Sequence, residues 1–116
     1  MTDTLLYASG ALGVLISLVH GYLGETKVVV PSEAPNPSAK RVLHAIMVLS
    51  AVYWFAAAVL LLVTPEFVSV SARPYVVYGV AAVFLSGSVG NLWATRGRHP
   101  GWALLAIAAG LAVAGV

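Results

Sequence analysis

The chain contains no cysteine among its 116 residues. Without thiols it can form neither a disulfide nor a thiolate metal site, and thiol catalysis is excluded. Any metal or cofactor chemistry must therefore use imidazole, carboxylate or amide groups. The chain also lacks a phosphate-binding loop, a nucleophile elbow and a zinc-binding helix motif, so no known catalytic motif assigns it an enzymatic activity, and whether it is an enzyme stays open.

Charge is scarce as well, because only 9% of the residues are charged while 60% are hydrophobic. A soluble domain carries about 25% charged residues. A chain this small and this apolar would be insoluble unless lipid covered it, which predicts an integral membrane protein. The few Lys and Arg residues form no dense basic array and no aromatic platform accompanies them, so we expect no nucleic-acid partner.

Four long apolar runs occupy most of the sequence, at residues 5–23, 39–63, 74–93 and 101–116. A helix of about 20 residues matches a hydrocarbon core of about 30 Å. The chain is therefore predicted to be all-α, a single domain over 1–116 that forms a four-helix transmembrane bundle. We expect the first run to be a retained span, and the short fourth run to need bilayer thinning, a partner or burial in the bundle.

Local signals predict where these helices begin and end. Gly21 and Gly24 are expected to loosen the end of span 1, and Ser38 is a candidate N-cap for span 2. Pro65 is expected to end span 2, and Pro74 suits the first turn of span 3.

The basic residues predict the orientation of the bundle. The loops between spans 1 and 2 and between spans 3 and 4 lie on one side of the membrane. That side carries Lys27, Lys40, Arg41, Arg96 and Arg98, and the other carries Arg73. Because positive charge stays in the cytoplasm, we expect both termini outside and these two loops inside.

Small residues recur on one face of three spans. They are Gly10, Gly13 and Ser17 in span 1, Gly79, Ala82, Ser86 and Gly90 in span 3, and Ala106, Gly110 and Ala114 in span 4. Such seams let helices approach closely in a membrane. They exceed what one bundle needs inside, which predicts a homo-oligomer or a partner in a membrane complex, besides the surrounding lipid.

Two histidines are the main functional lead. His20 lies close to the end of span 1, on the face of its small residues, and His44 lies equally close to the start of span 2. By helix rise both rings would sit about 5 Å below the cytoplasmic interface. Ionisable groups within spans usually face the interior or a pathway. His20 and His44 could ligate a divalent metal (Zn, Fe or Mn) with Glu25, or serve as the axial ligands of a haem.

Asn91, Arg41 and His99 are expected at the same membrane face, as supporting polar groups. Each polar residue also has a structural interpretation. The two span histidines could bond a carbonyl or reach headgroup water, and Glu25 could pair with Lys27 or Arg41. Asn91 could join two helices, and His99 could cap the last one.

Three short stretches resemble a group of small four-span bacterial inner-membrane proteins to which no activity has been assigned. They are H-G-Y-L-G-E at the end of span 1, R-x-x-H at the start of span 2, and T-R-G-R-H-P-G-W before span 4. The resemblance covers most of the chain in layout, but only these stretches in motif. It implies a multipass protein of the bacterial inner membrane, with the polar cluster toward the cytoplasm.

Three functional hypotheses follow. The first is a membrane protein that binds a metal ion or haem and that could be a component of an oxidoreductase. The second is an accessory or assembly subunit of a larger membrane complex, acting by packing. The third is a small proton- or cation-coupled transporter or channel gated by His20, Glu25 and His44.

Overall fold

The structure, a computed structural model, describes residues 2–116 and contains four α-helices in that range. They are α1 (Thr2–Leu23), α2 (Pro37–Phe67), α3 (Arg73–Thr95) and α4 (Gly101–Ala114). No strand occurs in these residues, so the predicted all-α fold is confirmed. The bundle measures 50 × 25 × 18 Å, and its long axis exceeds the thickness of about 40–45 Å of a bilayer with its headgroups.

Among residues 2–116, three helices are long and apolar enough to cross a membrane: Asp3–Val29, Pro37–Phe67 and Arg73–Thr95. Their outward faces are apolar too. Only 22% of the most apolar stretch of α2 is buried inside the molecule, although the mean hydropathy of that stretch is 2.5. An apolar surface this continuous needs lipid around it. The orientation of the bundle in the membrane stays a prediction.

The fourth helix is shorter than a membrane is thick. Its 14 residues extend over about 21 Å, against a hydrocarbon core of about 30 Å. The helix is accommodated by burial, since Leu105, Ala108 and Ala112 are fully enclosed. Two buried serines fix it in place. Ser9 donates to the carbonyl of Ala108 at 2.7 Å, and Ser88 donates to the carbonyl of Trp102 at 2.7 Å.

The helices form an antiparallel bundle in which α1 packs between α2 and α4, and α4 packs between α1 and α3. The seam between α2 and α3 is the least filled. Glycines bring α1 onto its neighbours, as predicted. A Cβ at Gly13 would stand 2.7 Å from the Phe84 ring and 2.8 Å from Ala58, so only glycine fits there.

The α-helix of span 1 ends at Leu23, where Gly21 and Gly24 were expected to loosen it, but the chain does not become a loop there. It continues as a π-helix over Gly24–Val29, where the N–H of Val30 donates to the carbonyl of Glu25 at 2.9 Å. Gly24 packs directly on the Met47 side chain, which would have to shift to admit a Cβ there. The glycine thus lets this segment stay against α2, and one added turn places Glu25 over the start of that helix.

The ends of α2 also differ from the prediction. The N-cap is Asn36, whose side chain accepts the N–H of Ala39 at 2.8 Å, and Pro37 occupies the first turn. Ser38 instead accepts a hydrogen bond from Arg41. At the other end the helix runs through Pro65 to Phe67, and the Arg73 guanidinium donates to the carbonyls of Pro65 and Val68 near that end. Pro74 lies in the first turn of α3, as predicted.

Replacing Gly13 by alanine should destabilise the bundle. Its two neighbours, Phe84 and Ala58, are fully buried, so the added methyl group would overpack the core at a cost of about 1–3 kcal/mol. Gly110→Ala is the matched control, because no atom lies within 4 Å of a Cβ at that position and alanine favours a helix by about 1 kcal/mol. Unfolding in mixed micelles, followed by circular dichroism, measures both changes. Equal stability of the two variants would contradict the packing of α1.

Candidate functional site: two histidine pairs and a lateral groove

The predicted ligands Glu25 and His44 are brought into direct contact. His44 Nδ1 lies 2.7 Å from Glu25 Oε2. The side chains are 44% and 52% exposed for Glu25 and His44, respectively, so the contact lies at the surface of the bundle. We call it the interfacial pair. A carboxylate only accepts hydrogen bonds, so the Nδ1 atom must carry the proton.

His20 is held by a different partner, in a more enclosed place. Its Nε2 lies 2.9 Å from the hydroxyl oxygen of Ser50, which donates its own proton to the carbonyl of Met47 at 2.9 Å. With the Ser50 proton on the Met47 carbonyl, a neutral imidazole donates to Ser50 through Nε2–H. The His20 ring also packs on Trp54, with ring centroids 4.4 Å apart and planes tilted by 49°. We call His20 and Ser50 the inner pair.

The antiparallel register of α1 and α2 explains why the two pairs are separate. Ser50 and His44 lie six positions apart on α2, about 9 Å along the helix. Facing His20 onto Ser50 therefore places His44 one to two turns nearer the membrane interface, where the π-helix supplies Glu25. No three His, Asp or Glu side chains in residues 2–116 group as a metal site would require. The predicted metal or haem ligation stays a prediction.

The supporting residues have local roles. Asn91 donates to the carbonyl of Gly87 in its own helix at 2.9 Å, and Arg41 bonds Ser38 rather than Glu25. His99 Nδ1 accepts the N–H of Gly101 at the start of α4, which is the capping role considered above. A Cβ at Gly101 would lie 2.9 Å from His99 and 3.8 Å from Asn91, so these two side chains do come together at one end of the bundle.

The structure adds a feature that the sequence interpretation missed. A groove of about 500 Å³ opens between α2 and α3, lined by Ser50, Tyr53, Trp54, Val83, Ser86 and Gly87. We call it the lateral groove. Gly87 makes it possible, because a Cβ there would collide with the indole of Trp54. One signal could have revealed the site: Trp54 lies near the middle of span 2, whereas tryptophans in membrane proteins prefer the interfaces.

The hydrogen bonds predict opposite tautomers for the two histidines. When neutral, His20 should carry its proton on Nε2 and His44 on Nδ1, because each proton is donated to an oxygen. Nitrogen-15 spectra of histidine-labelled protein in lipid distinguish the two forms. Ser50→Ala should shift the His20 signals and leave those of His44 unchanged. A His20 ring protonated on Nδ1 alone would contradict the inner pair.

Comparison with known proteins adds no relative. No protein-family model matches the chain, and no curated protein or solved structure is significantly similar to it. The resemblance to small four-span inner-membrane proteins therefore rests on the three short motifs alone.

Proposed function

We propose that this protein is a self-associating subunit of a membrane assembly, and that it acts by helix packing. The observation that carries the proposal is a stripe of small residues on the outward face of α3. The stripe consists of Gly79, Ala82, Ser86 and Gly90, all exposed. We call it the α3 ridge. At 100° per residue its members fall within an arc of about 80°.

Nothing within the described chain packs against the glycines of this ridge. No atom lies within 4 Å of a Cβ added at Gly79 or Gly90. The comparable glycines of α1 behave in the opposite way, since Gly10 and Gly13 are filled by α2 and α3. The small residues of span 1 thus pack inside the bundle, while the small residues of span 3 remain free to contact another molecule.

A second copy of the chain suits this surface. Helices in a membrane gain no hydrophobic energy from meeting, so they associate where small residues allow close packing and hydrogen bonds. A ridge that faces its own copy around a twofold axis is small on both sides, which gives the closest approach. Ser86 lies near the centre of the ridge, and its proton is used by the carbonyl of Val83, so its oxygen can still accept a hydrogen bond.

Leucine at the ridge should weaken self-association. For Gly79→Leu and Gly90→Leu we expect the dissociation constant to rise by about fivefold or more, since the larger side chains separate the helices. Energy transfer between labelled copies in liposomes, measured over a range of protein-to-lipid ratios, gives that constant. Both variants should still fold, because the added side chains meet open space.

Gly110→Leu is the matched control for this experiment. Gly110 is also a helical glycine with no atom within 4 Å of an added Cβ, but it lies on α4. The Gly110→Leu variant should associate as the unchanged protein does. Association that is lost only in Gly110→Leu would place the contact on α4, and a monomer at every ratio would contradict self-association. Co-purification of a different membrane protein, lost in the Gly90→Leu variant, would replace the second copy with that partner.

The interfacial pair favours a second candidate function, the binding of a divalent metal. Glu25 and His44 supply a carboxylate and an imidazole at 2.7 Å, a ligand set that suits Zn²⁺, Fe²⁺ or Mn²⁺. Two ligands leave positions for water or for a group from another chain. His20 would have to leave Ser50 to complete the predicted set, and a haem between His20 and His44 would require both rings to leave their present partners.

Elemental analysis and a visible absorption spectrum test this second function. Protein purified without chelator or histidine tag should carry a stoichiometric metal, and Glu25→Gln and His44→Ala should each lose it. His99→Ala is the control, because that ring bonds the backbone of α4. Protein free of metal and without a Soret band, or metal retained in both ligand variants, would contradict the binding.

A further inference from the structure

The lateral groove contains a polar atom that the bundle leaves without a partner. Only 6% of the Trp54 surface is exposed, yet its indole N–H makes no hydrogen bond to any of residues 2–116. No fully enclosed side-chain nitrogen or oxygen in this range lacks a partner, so the N–H must reach the surface. Trp54 lines the groove and its nitrogen lies against Gly87, so the groove is where it emerges.

The depth of this atom makes its lack of a partner significant. Trp54 lies close to the middle of α2, and Gly87 lies in the second half of α3, so the groove opens at the level of the hydrocarbon core. An exposed N–H in water is satisfied by solvent, but hydrocarbon offers no acceptor. Acyl chains that fill the groove would leave the N–H unsatisfied, whereas a molecule with an oxygen acceptor would satisfy it.

The other polar groups of the groove restrict the occupant further. The protons of both serines are already donated within their own helices, from Ser50 to Met47 and from Ser86 to Val83. Tyr53 is 63% exposed, and its hydroxyl bonds no other group in the described chain. The free donors are therefore the Trp54 N–H and the Tyr53 O–H, both on aromatic rings, and the groove is uncharged.

We propose that the lateral groove binds a membrane-soluble quinone, by hydrogen bonds from the Trp54 N–H and the Tyr53 O–H to its ring carbonyls. A neutral planar ring with carbonyl acceptors complements two donors carried by aromatic side chains. The groove volume of about 500 Å³ falls within the range of about 300–1,000 Å³ of ligand sites. The ester carbonyls of phospholipids lie near the headgroups, about 15 Å from the middle of the bilayer, whereas a quinone ring enters the hydrocarbon.

This proposal does not depend on self-association. The α3 ridge points away from the core, whereas the groove lies at its α2 side, where Val83 and Gly87 turn toward α2. A second copy on the ridge would stand beside the mouth of the groove, and Ser86 would touch both. Self-association is measured between copies of the chain, whereas quinone binding is measured with an added ligand, so either one can fail without the other.

Fluorescence of Trp54 tests the proposal in the full chain. With Trp93→Phe and Trp102→Phe, Trp54 becomes the sole tryptophan. In phosphatidylcholine nanodiscs, a short-chain benzoquinone should quench it along a saturable curve, on top of the linear quenching due to quinone dissolved in the lipid. Ser86→Phe, which fills the mouth of the groove from an exposed position, should abolish the saturable part. Leu85→Phe, an exposed neighbour outside the groove lining, should retain it.

Equilibrium binding of the same benzoquinone by ultrafiltration of the nanodiscs provides a second readout. Trp54→Phe keeps an aromatic ring and removes the donor, so affinity should fall about fivefold to tenfold, and Tyr53→Phe should act in the same direction. Quenching that stays linear, or that is equal in Ser86→Phe and Leu85→Phe, would overturn the proposal. If Trp54→Phe fails to fold, the pair of variants at positions 85 and 86 still decides the question.

Discussion

The close antiparallel approach of α1 and α2 is the constraint on which the other features depend. Gly10 and Gly13 bring α1 onto α2, since a Cβ at Gly10 would stand 2.9 Å from the Ala58 carbonyl oxygen and a Cβ at Gly13 would stand 2.8 Å from the Ala58 Cβ. Larger residues at these two positions would collide with Ala58, so the contacts favour one register of the two helices. The same register aligns His20 with Ser50 and carries the π-helix over the start of α2, where Glu25 meets His44.

Polar side chains in the bundle mostly form hydrogen bonds within their own helix. Ser17, Thr64 and Thr95 each donate to a carbonyl three or four residues earlier, which satisfies a hydroxyl in lipid without a partner helix. Three serines form hydrogen bonds across helices: Ser9 and Ser88 donate to carbonyls of the short α4, and Ser50 bonds His20 of α1. The hydrogen bonds to α4 help to hold the helix that hydrophobic length alone would fix least well.

The four helices and their apolar faces could be predicted because each depends on local composition and periodicity. The close approach of Gly10 and Gly13 was predicted for the same reason, since small residues spaced along one helix face define a seam without reference to the partner. Both ends of α2 were wrong, since its N-cap is Asn36 rather than Ser38 and the helix runs past Pro65. At the second end Arg73 of the next helix donates to the carbonyls of Pro65 and Val68, a contact that no local pattern in span 2 shows.

The candidate site was harder to predict, because it depends on how two helices are aligned. Equal depth was inferred for His20 and His44 from predicted span ends, whereas the packed register of α1 and α2 places His20 beside Ser50, six positions further along α2 than His44. No local pattern marks Ser50 as the partner of His20. A tryptophan in the middle of a span was a usable signal, but its meaning required the position of Gly87 on another helix.

Trp54 links the filled core to the open seam. Its indole packs on His20 on one side and against the Gly87 backbone on the other, so it fills the core at this level while its bulk stands between α2 and α3. A smaller side chain would let α2 and α3 approach each other, and no groove would then open toward the hydrocarbon. The groove is therefore the consequence of placing a large ring, with one polar atom, where lipid cannot satisfy it. The Trp54 N–H is thus a membrane-embedded donor that no group in residues 2–116 satisfies, and an acceptor bound in the groove would satisfy it.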